Sequence, residues 1–174
     1  MPVQVTRFVQ TDWAETAEFH EVVRVADALA SHLNTPQAQA AIAIAHGPRS
    51  PSSAVQATFL DFATGLGFRN EATGLFADYQ KRLRPDYFLA VASTGILLEV
   101  ERGKSITNNM DMLDFWKCHL CASAHYLFLL VPQDLRHGDV GFTERPYAAV
   151  VSRLASFFEP RNYTNVRGLF VFGY

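Results

Sequence analysis

The sequence is poor in charge, in cysteine and in long apolar runs. Charged residues make up 18% of the 174 residues and apolar residues 49%, whereas a typical domain has about 25% charged residues, so a disordered chain is excluded. Two cysteines cannot form a disulfide framework. No apolar run approaches the length of about 18 residues that indicates a membrane span, and the N-terminus lacks a basic region followed by an apolar stretch. We therefore expect a cytoplasmic protein.

An excess of basic charge is also absent. The formal net charge is −2 and the isoelectric point is about 6.3, which excludes a protein that coats nucleic acid through bulk charge but leaves room for a local basic groove. Internal repeats and low-complexity tracts are lacking, and the loop-like segments are short. We therefore expect one domain over residues 1–174, with residues 1–64 mainly helical and residues 65–174 forming a sheet with helices.

Helix patterns dominate the first third of the chain. Asp12 and Glu15 have capping-box spacing, and apolar residues then recur at helical intervals; this predicted buried stripe is Phe19, Val22, Ala26, Leu29 and Leu33. Two further helix starts are predicted where a capping residue precedes proline, at Thr35 and at Ser50, the second helix running through residue 62.

Strand patterns follow from residue 87 onward. Residues 87–92 and 96–101 are β-rich runs about a turn at residues 93–95, which predicts a hairpin. A helix is then predicted from Asn108 or Asn109 to about residue 124, a buried strand at 126–131, a helix at 146–158 and a last strand at 169–172. This order predicts an α/β fold with a mixed central sheet flanked by helices, after an N-terminal helical segment.

Three carboxylates are expected at one end of this hairpin. Glu99 and Glu101 are two apart on an apolar strand, so both side chains project from the same face. Folding the hairpin about Thr94 sets Asp86 opposite position 102, next to Glu101 and diagonal to Glu99. Because like charges this close repel, we expect a divalent cation between them, and oxygen ligands favour Mg²⁺ or Mn²⁺. Such a site suits metal-assisted attack of water on a phosphodiester.

The order Asp86, hairpin, Glu99-x-Glu101 resembles the PD-(D/E)xK motif of the restriction-endonuclease-like nucleases, in the variant where glutamate replaces the usual lysine. The resemblance implies a core of a helix, three strands, a helix and a strand, over about residues 52–131. It also implies that Asp86 and Glu99 bind metal and that Glu101 stands where lysine usually orients the attacking water. The expected partner is DNA, double-stranded in this interpretation, and the expected activity is Mg²⁺-dependent endonucleolytic cleavage.

Two lysines are candidates for the missing cation. Lys104 lies just past the second strand of the hairpin. Lys117 falls in helical register with Leu113, Leu120 and Ala124, which places a cation on a mostly apolar stripe where it needs an anionic partner. The alternative for Lys117 is a side chain that reaches solvent at the edge of the stripe.

Basic residues surround the expected cluster. Lys81, Arg82, Arg84, Arg102 and Lys104 lie within one 24-residue window, and such a local field suits a phosphate backbone. The polar loop at residues 102–109 offers further donors for phosphate. An extra acidic ligand from an early helix, Glu21 or Glu71, is a weaker expectation.

Other interpretations stay open. The chain could be a catalytically inactive nuclease-fold protein that binds nucleic acid or a protein partner, or an unrelated α/β enzyme that uses the carboxylates as acid and base. Cys118 and Cys121 are expected to pack as small hydrophobic residues rather than to bind zinc. The apolar C-terminal strand is expected at a sheet edge, where it could support a homodimer.

Overall fold

The computed structural model describes residues 1–47, 50–70, 75–76, 83–103, 108–137 and 142–174. The strands in these ranges are β1 Gln4–Val9, β2 Arg69–Asn70, β3 Tyr87–Val91, β4 Thr94–Val100, β5 Tyr126–Val131, β6 Leu135–His137, β7 Phe142–Glu144 and β8 Gly168–Gly173. The α-helices are α1 Ala17–Leu33, α2 Pro36–Ala45, α3 Ser52–Ala57, α4 Leu60–Gly65, α5 Met110–Leu120 and α6 Pro146–Ala155.

A mixed sheet forms the centre of the molecule. Within the described residues, six strands pair in the order β1-β8-β5-β4-β3-β2. The inner strands β4, β5 and β8 are parallel, β3 is antiparallel to β4, and β1 is antiparallel to β8. Strand β5 is buried along its whole length, as its continuous apolar sequence predicts for a strand covered on both faces. The predicted α/β class with a central sheet flanked by helices is confirmed.

The helices divide between the two faces of the sheet. The predicted α1 stripe is confirmed and packs, with residues of α2, α3 and α4, against β4 residues such as Ile96 and Leu98. Helices α5 and α6 pack against the opposite face, which carries Leu97. Because side chains alternate along a strand, Glu99 and Glu101 share the α5 face with Leu97.

The N-terminal segment differs from the expectation. Helix α1 begins after Thr16, whose hydroxyl accepts a hydrogen bond from the Phe19 N–H (3.1 Å), whereas Asp12 lies in a 3₁₀ turn. The preceding residues form β1, so the first third is not purely helical and supplies a strand to the sheet. The helix predicted from Ser50 through residue 62 is interrupted between α3 and α4.

The C-terminal strand β8 is an inner strand rather than an edge. It is buried throughout and lies between β1 and β5. The homodimer was expected because β8 would leave an exposed edge. That edge is covered, because β1 forms backbone hydrogen bonds with β8.

Three further features bear on the expectations. Cys118 and Cys121 are both buried, as expected of small hydrophobic residues. Residues 135–137 and 142–144, for which the sequence predicts no strand, pair as the β6–β7 hairpin. Among the described residues, none of the helices combines the length and apolar character needed to cross a membrane.

Candidate active site

Asp86 lies opposite Glu99, not opposite position 102 as expected. The hairpin pairs Tyr87 with Leu98 and Val91 with Thr94, so the turn holds only two residues, and Ala92 in it adopts a positive φ of 47°. This tighter turn shifts the register by three residues. The Asp86 N–H donates to the Glu99 carboxylate (3.1 Å).

The Asp86 carboxylate is held from two directions. Its Oδ2 accepts hydrogen bonds from the Val100 N–H and from the Gln56 side-chain amide, both at 2.9 Å. Gln56 is in turn oriented by the Tyr87 hydroxyl, which donates to its Oε1 (3.2 Å). Gln56 lies on the short helix α3, and nothing in the sequence distinguished it.

Lys117 enters the same site from α5. Its ammonium lies 2.9 Å from Glu99 Oε1 and 2.8 Å from Asp114 Oδ1, and all three residues are buried. The expected anionic partner is therefore present, but the expected stripe is wrong. Leu113 and Leu120 are each 41% exposed, because α5 turns its polar residues toward the sheet.

Sequence reasoning missed two buried aspartates on α5. Asp111 and Asp114 are both fully buried; Asp111 forms an ion pair with Arg153 on α6 (3.1 Å). Among the described residues, neither Oδ2 has a hydrogen-bond partner. Asp111, Asp114 and Lys117 follow one another at intervals of three residues, which places them on one helix face. This spacing was the sequence signal that could have identified the two aspartates.

Glu101 lies at the mouth of the site. It lines a cleft of about 510 Å³ together with Ser52, Asn108 and Met110. It is only partly buried, and within the described parts of the chain it has no ion-pair partner. Glu101 is thus the carboxylate that a molecule in the cleft meets first.

Burial and crowding of acids dominate the electrostatics. Burial and the neighbouring Asp114 and Asp86 raise the pKa of Glu101 to about 7. Burial also raises the pKa of Asp114 to about 6, with Lys117 opposing the shift, and it raises those of Asp86 and Glu99. Burial alone would lower the pKa of Lys117, but Glu99 and Asp114 raise it above its ordinary value.

The charges in this cluster do not balance. Among the described residues, Asp86, Glu99, Glu101 and Asp114 bring four carboxylates around one ammonium, that of Lys117. Burial is the largest cause of the raised carboxyl pKa values, and for Glu99, Glu101 and Asp114 the neighbouring acids add to it, since each ionised acid makes the next harder to ionise. An added cation would relieve it.

A hard divalent cation fits these donors chemically, although the side chains are not gathered around one point. Within the described ranges, no three Asp, Glu, His or Cys side chains are arranged to hold an ion, and Lys117 lies between Glu99 and Asp114. The donors are all carboxylate oxygens, which Mg²⁺ and Mn²⁺ prefer. The unpartnered Asp114 Oδ2 shows that the acidic groups retain accepting capacity.

The surrounding basic residues are only partly described. Lys104, together with Lys81, Arg82 and the candidate ligand Glu71, lies outside the described residues. Arg84 is exposed, whereas Arg102 is buried and donates to the carbonyl oxygens of Ser50 (2.7 Å), His46 (3.3 Å) and Gly47. Arg102 therefore holds the backbone before α3 rather than facing solvent.

Comparison with known proteins adds no family assignment. No protein-family model matches the chain, and no curated protein matches it in sequence.

Proposed function

We propose that this chain is a Mg²⁺-dependent endonuclease that hydrolyses phosphodiester bonds of double-stranded DNA and is related to the restriction-endonuclease-like nucleases. One observation carries the proposal. A buried lysine contacts the central glutamate of the Asp86, Glu99, Glu101 set, so the ammonium that the hairpin motif lacks comes from α5 instead. Three acids near this lysine can supply the metal ligands and the positive charge that metal-assisted phosphodiester hydrolysis uses.

Asp86, Glu99 and Glu101 are the residues that would hold the ion. When bound, Mg²⁺ acidifies a coordinated water and stabilises the charge that develops on the scissile phosphate. Gln56 and the Val100 N–H orient Asp86, which keeps one of the ligands in place before the ion arrives.

Glu101 and Lys117 take different roles around the reacting phosphate. Glu101 lines the cleft, where a carboxylate oxygen can accept a proton from the attacking water. Lys117 stays protonated because its pKa is raised, so it supplies positive charge and holds Glu99. On this assignment Glu101 is the proton acceptor and Lys117 a positioning residue.

A plasmid cleavage assay tests the proposal. Purified protein is incubated with supercoiled plasmid in Mg²⁺ or in EDTA, and nicked and linear products are measured. We expect Mg²⁺-dependent cleavage that falls at least about 100-fold in Asp86→Asn and in Glu99→Gln, since each variant removes a metal ligand. Asp61→Asn, at an exposed position on α4, is the matched control and should cleave like the wild type. Full activity of Asp86→Asn would refute the site.

A second candidate is a nuclease-fold protein that binds nucleic acid or a protein partner without cleaving DNA. The contact of Lys117 with Glu99 (2.9 Å) favours it, because it occupies an oxygen of one of the acids that a metal would need. Titration with Mn²⁺ separates the candidates. Binding that disappears in Glu99→Gln supports the enzyme, whereas absence of binding together with retained DNA binding supports the inactive form.

A further inference from the structure

A second pocket lies next to the candidate active site. It encloses about 500 Å³, within the range of about 300–1,000 Å³ typical of small-ligand sites. Apolar walls come from Ile42 and Ala43 on α2 and from Leu135 and Tyr174 on the other side. Walls of this composition suit a largely apolar ligand.

Polar groups are built into the same walls. The His46 Nε2 lies 3.0 Å from the Asp134 carbonyl oxygen, so Nε2 carries the hydrogen and a neutral ring leaves Nδ1 as an acceptor. That Nδ1 and the Arg102 Nε–H donor are both buried and, among the described residues, without a partner. One unused acceptor and one unused donor in adjoining residues suit a ligand that offers both kinds of group.

The pocket adjoins the cleft that Glu101 lines. Arg102 lines both cavities, and the Tyr174 hydroxyl, from the pocket wall, donates to the Glu101 carbonyl oxygen (3.0 Å). A ligand in the pocket therefore contacts Arg102, the residue that follows the candidate catalytic Glu101.

We propose that this pocket binds a nucleobase, a planar ring that carries both hydrogen-bond donors and acceptors. The choice of a nucleobase over other planar rings rests on the proposed function. The base can belong to a free nucleotide or to the DNA strand that lies in the cleft, and the two sources present the same ring to the walls.

The first experiment uses free ligands. Binding of each of the four deoxynucleosides is measured by calorimetry, with 2-deoxyribose 5-phosphate as the ligand that lacks a base. We expect at least one nucleoside to bind and the base-free sugar phosphate not to bind. Ala43→Phe, which fills the pocket from its rim, should weaken nucleoside binding at least 10-fold, and the smaller Ala43→Leu should weaken it less. Ile44→Phe is the matched control, because Ile44 is 82% exposed and does not line the pocket.

The second experiment identifies the source of the base. Binding of an oligonucleotide duplex is measured in Ca²⁺ with and without one abasic position, placed at each site in turn. If DNA supplies the base, one abasic position weakens binding to the wild type and has no effect on Ala43→Phe. If a free nucleotide supplies it, the abasic positions have no effect, while nucleosides still bind.

The pocket proposal and the nuclease proposal can be refuted independently of each other. Absence of binding for all four nucleosides, together with equal duplex binding by the wild type and Ala43→Phe, overturns the pocket even if plasmid is cleaved. Nucleoside binding that Ala43→Phe removes, in a protein that cleaves no DNA, retains the pocket and refutes the nuclease.

Discussion

Replacing Lys117 with methionine is the sharpest test of the buried charge cluster. The change keeps an unbranched side chain of similar length but removes the only cation that contacts Glu99 and Asp114 within the described residues. These carboxylates are 3% and 0% exposed, so solvent cannot replace the lost partner. Removing one member of a buried ion pair costs about 3–5 kcal/mol, and the total stability of a domain is about 5–15 kcal/mol.

Urea unfolding followed by circular dichroism measures this loss. With a denaturant slope of about 2 kcal/mol per molar, a loss of about 3–5 kcal/mol lowers the urea midpoint by about 1.5–2.5 M at pH 7.5. Arg161→Met is the control, because Arg161 forms an ion pair with Glu159 (2.9 Å) but is 81% exposed. That surface pair should contribute at most about 1 kcal/mol.

The pH dependence and a double variant sharpen the test. In Lys117→Met the two acids ionise less readily in the folded state than in the unfolded state, so the destabilisation should shrink as pH falls from 8 to 5. Adding Glu99→Gln to Lys117→Met should recover part of the loss, since it removes one unpaired charge. A loss no larger than that of Arg161→Met, or one independent of pH, would refute the reasoning.

Three further predictions concern single residues. Because the folded pKa of Glu101 lies near 7 rather than 4.5, the folded state holds this proton more tightly. Unfolding free energy in EDTA should therefore fall as pH rises from about 4.5 to 7; a Glu101→Gln variant with an unchanged slope would contradict this. Gln56→Leu should lower kcat about 10-fold with little change in KM, since the Gln56 amide orients the Asp86 carboxylate. The exposed control Gln37→Leu should leave kcat unchanged. Equal kcat values for the two variants would exclude a positioning role of Gln56. Gly95→Ala places a Cβ 2.8 Å from a backbone carbonyl oxygen and should lower the free energy of unfolding in urea by about 1–3 kcal/mol. Gly65→Ala is the control and should not, because its Cβ would meet none of the described residues within 4 Å. An unchanged stability of Gly95→Ala would show that the strand can shift.

Local patterns predicted the elements well where one residue type or one period dominates. The α1 stripe, the cap at Thr35 and strand β5 follow from helical periodicity, from a capping hydroxyl before proline and from a continuous apolar run. Strand β1 was missed because its partly exposed residues gain their strand geometry from pairing with β8, and that pairing is non-local.

The sequence likewise predicted part of the candidate site and not the rest. Sequence spacing was enough to put Glu99 and Glu101 on one face of a strand and to place Lys117 on the following helix. It was not enough for the hairpin register, which depends on a two-residue turn, nor for the buried face of α5, where ion pairs outweigh the hydrophobic period.

The sequence by itself determined the α/β class, the buried strand β5 and the residues of the acidic motif, because strand and helix periods and side-chain chemistry are local properties. Only the tertiary structure decided which groups meet that motif. Gln56 comes to Asp86 from a helix 30 residues earlier, and Lys117 and Asp114 come to Glu99 from a helix on the opposite face. These contacts depend on how two layers of helices pack on one sheet. The spacing of residues within one segment does not predict that packing.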